Sequence, residues 1–191
     1  MMRAVKTTVA MVATAALGVS AASAFVGSPG AVPLPRSLVP EPGSDRVGQT
    51  APDPDAGLPW AVRSYVSTSG AGCVEAGRIK DGRFGWLDPR GRFTETALPE
   101  TGTCASLVAE PVLLVINHYP AVGQRAARTV LFGQARPDVA AMHVGVSGRQ
   151  QPLLAGIGGG FVLPLAGTIA PAELPVRVAM ITGQELTFDW R

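Results

Sequence analysis

Beyond residue 60 this chain predicts an all-β fold, an antiparallel β-sandwich or small barrel, and three features point to it. Short runs rich in β-branched and aromatic residues recur through to the end of the chain. Turn signals separate them at intervals of about eight to twelve residues. Helix signals are poor: only residues 170–174 read as a single turn, confined by Pro171 and Pro175.

The first strand is expected at residues 60–66, where Trp60, Val62, Tyr65 and Val66 supply the strand-forming side chains, with Gly70 and Gly72 breaking the run. Residues 73–79 and 83–87 follow as a pair. Asp81 and Gly82 lie between them, a tight-turn signal because glycine accepts positive φ without a Cβ clash. Asp88-Pro89-Arg90-Gly91 is a second turn, leading into residues 92–94. Residues 97–111 read as an irregular loop. Residues 112–118 form a continuous apolar run, the pattern of a strand covered on both faces. Strands are then expected at 128–135, 139–146, 161–166, 176–182 and 185–190, with Gly183 and Gln184 splitting the last two.

Upstream, residues 25–59 hold eight Pro and five Gly and show no sustained periodicity. Proline cannot donate to a helix or sheet ladder, so this stretch is expected as a disordered, solvated tether. Residues 1–24 carry the layout of a secretory signal: Arg3 and Lys6, an Ala-rich apolar run, then Ala22-Ser23-Ala24. Cleavage is expected between Ala24 and Phe25. The expected organisation is a signal peptide at 1–24, a linker at 25–59 and a single β domain at 60–191. The apolar run is diluted by Thr7, Thr8, Thr14, Gly18 and Ser20, which weakens it as a permanent span. A membrane association is expected only if residues 7–24 stay as an anchor.

The signal also explains the charge. The full chain has 16 Lys and Arg against 14 Asp and Glu. Removing Arg3 and Lys6 leaves 14 of each, so the exported part is formally neutral. Such a chain offers no electrostatic reason to bind nucleic acid. Its two cysteines, Cys73 and Cys104, both follow the signal, and outside the cytoplasm an even pair is expected as a disulfide.

Several residues carry the likeness of this chain to known proteins. Val130-Leu131-Phe132-Gly133, Gly158-Gly159-Gly160-Phe161-Val162 and residues 175–181 resemble immunoglobulin-like or carboxypeptidase-regulatory-like β-sandwich domains. The segment 60–73, with Gly82-Arg83-Phe84-Gly85, is similar to uncharacterised exported proteins of high-GC bacteria. Neither resemblance implies an activity.

No motif supplies a catalytic, cofactor or metal site. Leu98-Pro99-Glu100-Thr101-Gly102 has the composition of a cell-wall sorting signal, but 89 residues follow it with no apolar span of membrane length. The run Gly156-Ile157-Gly158-Gly159-Gly160 lacks the sixth-place glycine and following helix of a dinucleotide fingerprint, and reads as a hairpin connection. His118 ends an apolar strand and His143 stands within another; no nucleophile elbow accompanies either. Asp53 and Asp55 are too few to ring a calcium ion, and are expected to be solvated in the tether. Trp60, Tyr65, Trp86 and Tyr119 are the aromatic candidates for a binding face, with at least two of them expected in the core.

The function expected from these features is a non-enzymatic exported β module. Its partner is an unknown protein or envelope component, bound without a cofactor. One alternative is an extracellular hydrolase with a loop-built site around His118, Glu110 or His143. The other is a signal-anchored envelope protein.

Overall fold

A computed structural model describes residues 23–26, 39–88, 90–96, 102–121 and 125–188. Within them the chain is all-β, and all the strands that pair do so antiparallel. In chain order the strands are β1 (Ser23–Val26), β2 (Arg46–Ala51), β3 (Trp60–Val66), β4 (Gly72–Lys80), β5 (Arg83–Leu87), β6 (Phe93–Glu95) and β7 (Thr103–Ala105). They continue as β8 (Val112–Tyr119), β9 (Arg128–Ala135), β10 (Val139–Val146), β11 (Arg149–Pro152), β12 (Gly160–Ala166), β13 (Val176–Met180) and β14 (Glu185–Phe188). Three sheets result. One runs β1-β8-β9-β12, the second β11-β10-β13-β14, and the third β2-β3-β4-β5-β6 with β7 also on β4.

The first sheet is the middle layer, because its strands are apolar on both faces. Along β8, Val112, Leu114 and Ile116 join one core cluster while Leu113 and Val115 join the other. Strand β9 divides likewise, with Leu131 on one side and Val130 and Phe132 on the other. In β12, Phe161 and Val162 part company in the same way. The first cluster is closed by Met142, Val144, Val176 and Val178 of the second sheet. The other is closed by Trp60, Val62, Val74 and Ala76 of the third. Side chains alternate along a strand, so a run apolar at every position can only be buried between two layers. Each such side chain contributes roughly 1.5–3 kcal/mol of burial.

The turns follow from residue chemistry. Asp81 and Gly82, at φ 51° and 75°, make the two-residue hairpin between β4 and β5 expected from the sequence. Ser147 and Gly148 repeat it between β10 and β11, a hairpin beyond those expected from the sequence. Residues 157–159 form a short 3-10 turn that delivers the chain into β12, and Pro171–Glu173 form another. Strand β7 arises inside the expected irregular loop: Cys73 and Cys104 stand directly opposite each other on β4 and β7, joined by a disulfide.

The tether expectation needs correction over residues 25–26 and 39–59. Pro40 bridges to Ser67, and β2 pairs with β3 through Arg46, Val47, Thr50 and Ala51. The prolines here flank the strand rather than interrupt it, so its ladder survives. Residues 27–38 of that segment, and residues 1–22 of the signal, lie outside the described residues. Residues 23–26 pair with Leu114–Asn117 at the edge of the middle sheet. The sorting-like residues 98–101 also lie outside the described residues.

Candidate functional site

A buried carboxylate organises one end of the molecule. Asp53 is only 8% exposed, a correction to the solvated side chain expected from its proline-rich surroundings. Its Oδ2 accepts from Trp60 Nε1–H at 2.9 Å and Arg78 Nη1 at 2.7 Å. Its Oδ1 accepts from Arg128 Nη2 at 3.0 Å and from the backbone N–H of Asp55 at 3.0 Å. Burial alone would push the Asp53 carboxyl up, but donation from Arg128, the Asp55 amide, Arg78 and Trp60 outweighs it and holds the group well below the usual carboxylate range. Arg128 reaches Asp55 as well, at 2.5 Å.

Strand register places these partners. Trp60 opens β3 and lies directly across from Arg78 on β4. Tyr119 closes β8 and lies across from Arg128, the first residue of β9. The Arg78 guanidinium sits 3.6 Å from the Trp60 ring centroid, a cation–π contact. Trp60 and Tyr119 pack with ring centroids 4.8 Å apart, inclined at 56°. Together with Trp86, Arg125, Arg78 and Arg128 these rings line a concavity of about 430 Å³. That size falls within the range of small-molecule sites.

The rim is also polar. Asp88 accepts from the backbone N–H and Nε of Arg92, both at 2.8 Å. Those bonds hold the Asp88 carboxyl below its ordinary value. Arg125 donates through Nη2 to the Asp88 carbonyl oxygen at 3.3 Å.

The other sequence candidates do not converge. Tyr65 is 1% exposed, and its hydroxyl is pushed up to about 12 by burial, with Glu75 and Asp45 nearby adding to the effect. It belongs to a separate buried group in which Arg63 faces Glu75 at 3.8 Å and stacks 4.4 Å from the Phe84 ring centroid. His118 Nδ1 lies 3.2 Å from Thr129 Oγ1. That hydroxyl already donates to the Gly167 carbonyl and accepts from Ile169 N–H, so the imidazole is the donor in this contact. Burial pushes the His118 pKa down. Glu110 is buried just before β8 begins, whereas His118 stands near its far end; eight residues of extended chain separate them by about 26 Å. His143 is exposed on β10, opposite Arg177 on β13.

No family model, no curated protein and no solved structure matches this chain. The resemblance described above is supported as far as an all-β architecture of antiparallel sheets, and no family is identified.

Three of the aromatic rings in this site are legible in the sequence, and its charged wall is not. Asp53 carried a signal that was available: it stands between Pro52 and Pro54 and seven residues before an indole N–H donor. Nothing local announced Arg78 or Arg128, which are 25 and 75 residues away.

Proposed function

We propose that this protein is an exported, non-enzymatic binding module whose ligand occupies the Trp60–Trp86–Tyr119 concavity. The observation that carries the reading is Asp53, whose four donors hold Arg78, Arg128 and Trp60 rigidly in the wall of an open, aromatic-lined cleft. Side chains locked before the ligand arrives lose little entropy on binding. A carboxylate kept ionised by two guanidinium groups is a poor general acid, so the same wall suits recognition better than proton transfer. Export is supported by the signal-like first 24 residues, and the Cys73–Cys104 disulfide fits an oxidising compartment.

The test uses the exported chain and the neutral fluorophore N-phenyl-1-naphthylamine. Saturable binding is expected, weakened about tenfold in Trp86→Ala with the melting temperature little changed. Binding indifferent to Trp86→Ala would overturn the site. Reproducible turnover in a broad hydrolase screen, lost in His118→Ala or Glu110→Ala, would overturn the non-enzymatic reading. N-terminal sequencing of the exported protein is expected to begin at Phe25; a chain still carrying residues 7–24 would replace export by anchoring.

A further inference from the structure

We infer that the ligand of this concavity is an amphipathic anion, with an apolar body against the aromatic rings and its acidic group on Arg125. The inference rests on the reading of the concavity as the binding site and adds the class of ligand.

The charge pattern of the wall supports it. Among the described residues, three carboxylates stand at the site and each already has a guanidinium partner. Asp53 has Arg78 and Arg128, Asp55 has Arg128, and Asp88 has Arg92. Arg125 is the third guanidinium of the lining and has no carboxylate partner among the described residues. Its partner is the Asp88 backbone carbonyl at 3.3 Å, a long bond to a neutral acceptor. The lining itself holds three guanidinium groups and three carboxylates, and because Asp88 is taken up by Arg92 from outside it, Arg125 is the cation left without an ionic partner. Arg125 is half-buried and lines the same concavity as the rings. Gly91 lies beside it: a Cβ at that position would come within 3.0 Å of Nη2.

An arginine with a planar fork of donors and no ionic partner suits a carboxylate, sulfonate or phosphate. The rest of the cavity selects for the other end of the ligand. Trp60, Trp86, Tyr119, Leu87 and Pro120 supply its apolar lining. A small hydrophilic anion would leave these surfaces wet, while a neutral hydrophobe would leave Arg125 without its ionic partner. A molecule combining both features satisfies the whole site.

The experiment compares two probes with the same ring system. One is 1-anilinonaphthalene-8-sulfonate and the other is neutral N-phenyl-1-naphthylamine, each titrated into the exported chain. The sulfonate is expected to bind about tenfold more tightly. Arg125→Gln should abolish that preference, and Arg125→Lys should keep most of it, separating charge from packing. Trp86→Ala should weaken both probes. Equal affinity for the two probes, or a preference untouched by Arg125→Gln, overturns the anion class while leaving the cleft reading intact. Affinities insensitive to Trp86→Ala overturn the cleft reading itself. Competition then separates the sources of the anion: displacement of the sulfonate by soluble 1-naphthoate points to a free aromatic acid, and displacement only by phosphatidylglycerol vesicles points to a lipid headgroup. Displacement by neither overturns the anion class.

Discussion

Asp53 is the residue on which the site depends most. In the folded chain its carboxyl titrates below its ordinary range, so the folded state binds fewer protons than the unfolded state in acid. Its contribution is fully present above the unfolded carboxylate value of about 3.9 and is lost as pH falls from there toward the folded value. Asp53→Asn leaves Arg78 and Arg128 buried without that charge. It should cost about 3–5 kcal/mol at pH 7 and flatten the loss of stability below about pH 5. Urea unfolding of both proteins from pH 3 to 7 measures this; an unchanged acid limb would contradict it. Tyr65 predicts the opposite sign. Its hydroxyl is buried and has no hydrogen-bond partner among the described residues, so that group is desolvated without compensation from them. Tyr65→Phe should leave stability unchanged or raise it by about 1 kcal/mol, and a loss of more than that in urea unfolding would show a hidden partner.

At the scale of elements, the hairpin of β8 and β9 holds the three layers together. Gly133 lies within it, across from Leu114. A Cβ there would collide with the Leu113 carbonyl oxygen and crowd the Phe161 ring. Gly133→Ala must therefore open either the β8–β9 ladder or its packing on β12. A cost above about 3 kcal/mol is expected, at the severe end for single substitutions. Amide hydrogen exchange should show the loss along β8 and β9 first; an unperturbed ladder would mean that the backbone yields more easily than close packing allows. Strand β7 shows the converse, a short element held by covalent chemistry. Cys73 and Cys104 close a loop of 31 residues, worth about 3–4 kcal/mol in the loop-entropy treatment. The Cys73→Ala, Cys104→Ala double variant should lose that much in chemical unfolding. Non-reducing mass spectrometry of the wild type should find the two peptides joined.

At the scale of the whole molecule, three stacked sheets place the concavity at one end, where β8 finishes, β9 begins, and β3 and β4 meet at Trp60 and Arg78. Residues 23–26 lie along the edge of the middle sheet, so cleavage after Ala24 would remove Ser23 and Ala24 from opposite Asn117 and Ile116. Phe25 and Val26 would remain opposite Val115 and Leu114.

The all-β class, the paired cysteines and most strands are legible in the amino-acid sequence. Those features rest on local chemistry: β-branched runs at 128–135, the Asp81-Gly82 turn, and the unbroken apolar stretch of β8 that required cover on both faces. Strands β1, β2, β7 and β11 are not legible in the sequence: they are short or polar and become strands only because a neighbour supplies their ladder. Tertiary structure alone decided the site. Asp53 looked like a solvated side chain because its proline-rich surroundings are polar, and Arg78 and Arg128 looked like ordinary strand arginines. Only the stacking of the third sheet on the middle one brings all three together. A buried ion pair is stabilised by geometry across layers, and no spacing along a chain encodes that geometry.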